Sequence, residues 1–298
     1  MTTALPAGGE DPRRIVSGAG VAMPRLIYGT AWKKERTAAL VEQALRAGFR
    51  GVDTACQPKH YHEPGAGEGL SVLLAEGLAR SDVYLQTKFT PLPGQDPENV
   101  PYDPAAAIGR QVRQSFEASL RNLRVDRLDG LVLHSPYAED KDTLEAWAAM
   151  EKICAEGGAR QLGISNIYER SRLEMLCRNA RIAPAVVQNR FYAKTGYDRE
   201  LRAFCRERNI IYQSFWTLTA NPEVLAHPRV KALAAQYERS AAEVFFRFLT
   251  QQDIVCLIGS TSQEHMRQDL SIFDFSLGAE ECEELDALLP RAAPAGER

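Results

Sequence analysis

The sequence predicts an α/β fold, a (β/α)₈ TIM barrel with an N-terminal β-hairpin and extra C-terminal helices. Three observations predict it. Eight short apolar runs of strand length can be counted, an amphipathic stretch separates each from the next, and 298 residues suit a fold that typically takes about 250. No Gly-, Pro- or Ser-rich linker divides the chain, so residues 1–298 are expected to form one domain with a core over about 14–288.

The elements follow in order. RIVSGAGVAMPRLIY places apolar pairs around a Gly-Ala-Gly turn, which predicts a hairpin leading into a first strand, LIYG. ERTAALVEQALRAG puts Ala39, Leu40, Ala44 and Leu45 on one helical face and stops at Gly48, a usual C-terminal signal. Strand FRGVD, helix GEGLSVLLAEGLAR and strand VYLQTK come next, then a Pro-rich loop from Pro91 to Pro104 and a helix from Ala105. LDGLVLH, ARQLGIS, PAVVQN, IIYQS and DIVCLIG are the later strands, each pair separated by helical sequence, and HMRQDLSIFDF and AEECEELDALL add helices at the end.

Composition narrows the function. A net charge of -3 and a pI near 6.0 give no basis for a nucleic-acid partner or an acidic membrane surface. With no long apolar run, and no leader in MTTALPAGGEDPRR, a cytoplasmic address is expected. The six cysteines are scattered singly, and His60 and His62 lack the spacing of helix-borne ligands, so no metal is expected. Cys56 stands apart from the other cysteines because it lies in the loop that carries Tyr61. No assembly signal is present, which leaves a monomer as the default.

Asp53, Tyr61, Lys88 and His134 each lie at or just beyond the carboxyl end of a different strand, where barrels place their chemistry. Taken singly, a strand-end Asp is often a cap, a Lys is usually solvated and a His is often a satisfied structural group. Together they suit proton transfer to an oxygen. Asp53 would balance Lys88, the ammonium would lower the Tyr61 phenol from its usual pKa of about 10, and His134 would polarise a carbonyl.

The motifs GTAWK, GVDTA, YLQTK, LRVDRLDGLVLHSP, LGISN, VVQN and GSTSQEHMRQDL, with Tyr61 and its nearby Glu and Gly, resemble the aldo-keto reductases from about Arg14 to Leu288. The resemblance implies reduction of aldehydes or ketones with a nicotinamide cofactor, usually NADP(H), and a catalytic tetrad of Asp53, Tyr61, Lys88 and His134 with Tyr61 as the acid. It implies that Ser165, Asn166 and Gln188 hold the nicotinamide carboxamide, that Gly29 and Thr30 lie near the cofactor with Asp53, and that Trp32 lines the substrate mouth with Tyr61 and His134. Trp32 reads equally as a packing residue, and Lys33 as a solvated charge.

Three departures from the family pattern stand out. The tyrosine usually follows the aspartate by five residues; that position is Pro58, and Tyr61 fits only if the longer loop bulges outward. Gln213 replaces a stacking tyrosine and Ser214 matches a phosphate-side serine, while Phe215, Trp216 and Leu218 are candidate cofactor or substrate contacts with core packing as the competing account. The Lys and Arg that grip the 2′-phosphate are replaced by Gly259, Ser260, Thr261 and Ser262 with His265 at the Arg position, and Asp269 stands where an Asn contacts adenine. Helix N-terminal amides and hydroxyls still favour a phosphate there, so NADPH is expected to bind better than NADH, but with weaker discrimination.

Two other function classes fit some of these residues. A class I aldolase would use Lys88 as a Schiff-base lysine, detectable by borohydride trapping, but would leave the tyrosine and the Ser-Asn pair without a purpose. A cofactor-binding regulatory subunit would bind without turnover. The substrate itself is set by loops, and only PRAAPAGER follows Leu288, which predicts a short C-terminal lid and an open pocket.

Overall fold

The computed structural model describes residues 11–290. The eight parallel strands close into a barrel: β3 (Leu26–Gly29), β4 (Gly51–Asp53), β5 (Tyr84–Phe89), β6 (Leu128–Leu133), β7 (Ala159–Ser165), β8 (Val186–Arg190), β9 (Ile211–Phe215) and β10 (Val255–Ile258), with β10 returning to β3 through Cys256 opposite Leu26. Before it, β1 (Arg14–Val16) and β2 (Ala22–Pro24) form the expected antiparallel hairpin, turning through Gly20 at a φ of 72°. Val21 and Met23 pack on Ile27, Tyr84, Val186, Ile211 and Val255, closing the amino end of the barrel.

The helices packed around the strands are α1 (Thr37–Ala47), α2 (Glu63–Ala75), α3 (Ile108–Leu123), α4 (Asp140–Ala155), α5 (Arg170–Asn179) and α6 (Arg199–Glu207), then α7 (Pro222–Ala226), α8 (Pro228–Gln236) and α9 (Ala241–Gln251) before β10, with α10 (Gln263–Leu270) and α11 (Ala279–Ala287) after it. Helix α2 starts earlier than the sequence reading placed it, because Pro64 is tolerated in a first turn and the glycines after it serve close packing. A Cβ on Gly67 would lie 2.1 Å from the Asn122 carbonyl, and one on Gly69 2.4 Å from that of Ala38. These positions let α2 settle between α3 and α1, and the reading that began the helix at Gly67 missed that. Helix α3 begins at Ile108 rather than Ala105, after the Pro-rich loop.

No helix among the described residues is long and apolar enough to cross a membrane. The residues from which a leader and a short C-terminal lid were judged lie partly or wholly outside the described range, at 1–10 and 291–298.

Candidate active site

Alternation along a strand decides which side chains enter the barrel. On β5 the inward series is Tyr84, Gln86 and Lys88, and all three are buried. Lys88 Nζ donates to both Asp53 oxygens, at 2.7 and 2.6 Å, and to the Thr54 carbonyl at 2.8 Å. Its three protons are thereby committed. Burial pulls the ammonium's pKa down, and the Asp53 carboxylate opposes that pull.

The long loop returns Tyr61 to this pair. Amides of His60 and Tyr61 both donate to the Gln57 carbonyl, which turns the chain and leaves Pro58 and Lys59 exposed on the outside. The Trp32 amide holds the loop through the His60 carbonyl at 2.7 Å, and the Trp32 and His60 rings lie 4.0 Å apart. Tyr61 then sits with Lys88 Nζ 5.2 Å from its ring centroid and the His134 ring 5.9 Å away, edge to face. Asp53, Tyr61, Lys88 and His134 are therefore brought together at one place in the barrel.

One electrostatic detail differs from expectation. The Tyr61 phenol is raised, not lowered, first by burial and then by the Asp53 charge. An ammonium already paired with a carboxylate presents little net charge to a neighbour, so the lowering ascribed to Lys88 is largely cancelled. His134 is held well below its usual value by burial, Lys88 and His60, which keeps the imidazole neutral. Its Nδ1 lies 2.7 Å from the Thr90 hydroxyl.

Beside the pocket, Ser165 Oγ donates to the Gln188 carbonyl at 2.6 Å, and Asn166, at a φ of 54°, donates from Nδ2 to the His134 carbonyl at 2.9 Å. Gln188 Nε2 donates to Asp53 Oδ1 at 3.1 Å and to Gln213 Oε1 at 2.9 Å. Gly29 ends β3, and Thr30, fully buried, donates to the Asp53 carbonyl from both its amide and its hydroxyl. Trp32 is exposed, so the core-packing account fails for it. Lys33 is not a free surface charge: its ammonium donates to the Gly259 carbonyl, and burial lowers it.

Four assignments at the cofactor side need correction. Gln213 is fully buried and bonded to Gln86 and Gln188, so it offers no face to a ring. Ser214 is fully buried with its hydroxyl 2.9 Å from that of Thr217. Asp269 faces inward on α10, buried, with its pKa raised to about 7 by burial and by Glu243, which removes it from an adenine contact. Leu218 packs on the main core. Phe215 is half-buried, and Trp216 is exposed at a φ of 56°.

The turn after the last strand is held by its own hydroxyls. Ser262 caps α10 by accepting from the His265 amide at 3.3 Å, and Ser260 Oγ accepts from the Ser262 amide at 3.1 Å. Gly259, Thr261 and His265 are exposed around this turn. Cys56 is buried and pushed up to about 12 by burial, so its thiol is not a nucleophile.

The aldo/keto reductase family model matches residues 25–290. The chain belongs to the aldo-keto reductase family. Glyoxal reductase of Bacillus subtilis is 30% identical over 249 residues, covering 83% of this chain and 82% of that protein. Morphine 6-dehydrogenase of Pseudomonas putida is 28% identical over 282 residues, covering 90% and 88%. Among solved structures, an aldo-keto reductase from Brucella melitensis superposes with a TM-score of 0.79 at 25% identity, over 92% of this chain and 98% of that one. This aldo-keto reductase is thus an oxidoreductase of a carbonyl-reducing family. Thr90 and the buried Gln86 escaped the sequence reading, although both lie two residues from Lys88 and so share its inward face.

Proposed function

We propose that the protein reduces an aldehyde or ketone to an alcohol, with Tyr61 as the proton donor and NADPH as the favoured cofactor. The observation that carries the reading is the convergence of Tyr61, His134 and the Lys88–Asp53 pair in one pocket. A bound reduced nicotinamide supplies the hydride, delivered to the carbonyl carbon. Tyr61 gives its proton to the carbonyl oxygen as negative charge builds there. A phenol with a raised pKa stays protonated until that moment, and it is still a stronger acid than the alcohol formed when the alkoxide takes its proton. The tyrosinate left behind faces the Lys88 ammonium, which contributes more as the phenol's charge develops. Neutral His134 donates a hydrogen bond to the same oxygen and orients the substrate.

The residues present fit such a cofactor unevenly. Ser165, Asn166 and Gln188 gather amide and hydroxyl groups at adjoining strand ends, suited to a carboxamide. Ser260, Thr261, Ser262 and the α10 N-terminus supply neutral donors for a phosphate, and Lys33 places one cation beside them at Gly259. Loss of the Lys/Arg clamp at Gly259–Ser262 and His265 supports a reduced preference for NADPH over NADH.

The Schiff-base reading is disfavoured because all three Lys88 protons are engaged, leaving no free amine lone pair. The test is turnover of a panel of aldehydes and ketones with NADPH and NADH, in the wild type and in Tyr61→Phe, alongside cofactor binding by tryptophan fluorescence quenching. Loss of turnover by 10²-fold or more, on the order expected of a lost proton donor, with cofactor binding retained, is the expected result. Binding without any turnover in the wild type would favour the regulatory-subunit reading.

A further inference from the structure

Arg190 is the last residue of β8, two positions beyond Gln188. Gln188 reaches Asp53 inside the barrel, so alternation directs Arg190 to the same side, about 7 Å nearer the mouth. Its guanidinium carbon lies 4.0 Å from the Trp216 ring centroid and 5.4 Å from that of Tyr192. Tyr168 continues the wall, its ring 6.3 Å from that of Tyr192. Arg190 joins no ion pair among the described residues, and its Nε is buried without a hydrogen-bond partner. Nearby arginines are matched: Arg170 with Glu174, Arg172 with Asp140, Arg199 with Asp286.

The position is continuous with the carbonyl pocket. Asn166 donates to the His134 carbonyl at 2.9 Å, the Tyr168 hydroxyl donates to Asn166 Oδ1 at 3.2 Å, and the Arg190 amide donates to the Tyr168 oxygen at 3.4 Å. Trp216 holds its exposed ring there on a left-handed backbone, a conformation that costs energy for a non-glycine residue and persists mostly where a site uses it.

We propose that Arg190, walled by Trp216, Tyr192 and Tyr168, is a specificity subsite that takes the carboxylate or phosphate of an anionic, aromatic or otherwise flat carbonyl substrate. A planar guanidinium binds such an oxyanion through paired hydrogen bonds while keeping its face on an aromatic ring. The inference rests on the carbonyl-reductase reading above.

The experiment compares kcat/KM for 4-formylbenzoate with that for its methyl ester, in the wild type, Arg190→Met and Arg190→Lys, with cofactor dissociation constants measured in each. The expected result is a wild-type preference for the acid that falls at least tenfold in Arg190→Met and returns in part in Arg190→Lys, with KM carrying the change. Benzoate, as a dead-end competitor, should weaken in parallel. An acid-to-ester ratio that is the same in all three proteins overturns the proposal. So does a rise in the cofactor dissociation constant that accounts for the loss, since it would assign Arg190 to the cofactor's diphosphate. Absence of turnover with both aldehydes would instead count against carbonyl reduction, and benzoate binding would still read the subsite.

Discussion

The Thr90 hydroxyl lies 2.7 Å from His134 Nδ1. Thr90 is itself fixed, because its carbonyl accepts from the Tyr102 hydroxyl at 2.8 Å and from Gln95 Nε2 at 3.2 Å. A neutral imidazole carries one proton; with the Thr90 hydroxyl as the donor to Nδ1, the expected arrangement, that proton sits on Nε2, where it can serve a substrate oxygen. Thr90→Val keeps the shape and removes the donor. A loss in kcat of roughly tenfold, the scale of one hydrogen bond of about 1.4 kcal/mol, is expected, with Thr90→Ser restoring most of it. Imidazole ¹⁵N shifts should report the Nε2–H tautomer in the wild type and a mixture in Thr90→Val.

The Trp32–His60 contact ties the lengthened loop to the end of β3. Trp32→Ala removes the ring against which His60 rests, so the loop loses an anchor on one side of Tyr61. The expected outcome is a kcat reduced by about tenfold or more with little change in melting temperature, since both residues lie at the surface and the backbone bond can survive. Hydrogen exchange should rise over residues 57–62. An unchanged kcat would show that the turn at Gln57 alone positions Tyr61.

Asp53, Lys88 and His134 were legible as positions because each lies within one residue of the end of a strand whose apolar pattern is plain, and strand ends in a barrel converge by topology. Tyr61 was legible as a residue but not as a position. Its placement depends on a turn at Gln57 and on a ring contact with a loop far away in sequence, neither of which a local pattern encodes. At Gln213, Ser214 and Asp269 motif alignment assigns a role to a position, while the fold buries each side chain and engages the first two inside the barrel. Helix α2 extends back over Glu63–Ala66, because Pro64 in its first turn reads as loop although a first turn tolerates it.

Gln213 belongs to a chain of amides that crosses the barrel below the pocket. Ser17 Oγ donates to Gln161, Gln161 to the Tyr84 hydroxyl at 2.8 Å, Tyr84 to Gln86 Oε1 at 2.9 Å, and Gln86 Nε2 to Asp53 Oδ1 at 2.7 Å, with Gln213 bridging Gln86 and Gln188. Replacing Gln213 by Leu leaves buried donors on both neighbours short of an acceptor, at a cost of about 1–3 kcal/mol. A lower denaturation midpoint with an unchanged m-value is the expected signature. Because Gln86 and Gln188 both reach Asp53, kcat should fall too, whereas a contact with the cofactor alone would change only its binding.

Asp269 makes a prediction in pH that does not involve catalysis. Its pKa rises to about 7 in the fold, from burial first and the Glu243 charge second, against about 4 in an unfolded chain. The folded protein therefore holds a proton on this group over a range where the unfolded chain has released it. The sign follows: Asp269's contribution to stability is greatest below about pH 4, declines as pH rises to about 7, and is level above that. Asp269→Asn cannot ionise and should abolish this part of the decline. At pH 8 the variant is expected to be more stable than the wild type by up to about 4 kcal/mol, the upper bound that a three-unit shift allows, and at pH 4 the two should nearly coincide. Urea denaturation at both pH values measures the difference, and equal midpoints at pH 8 would show that the Asp269 carboxylate is stabilised by the fold rather than opposed by it.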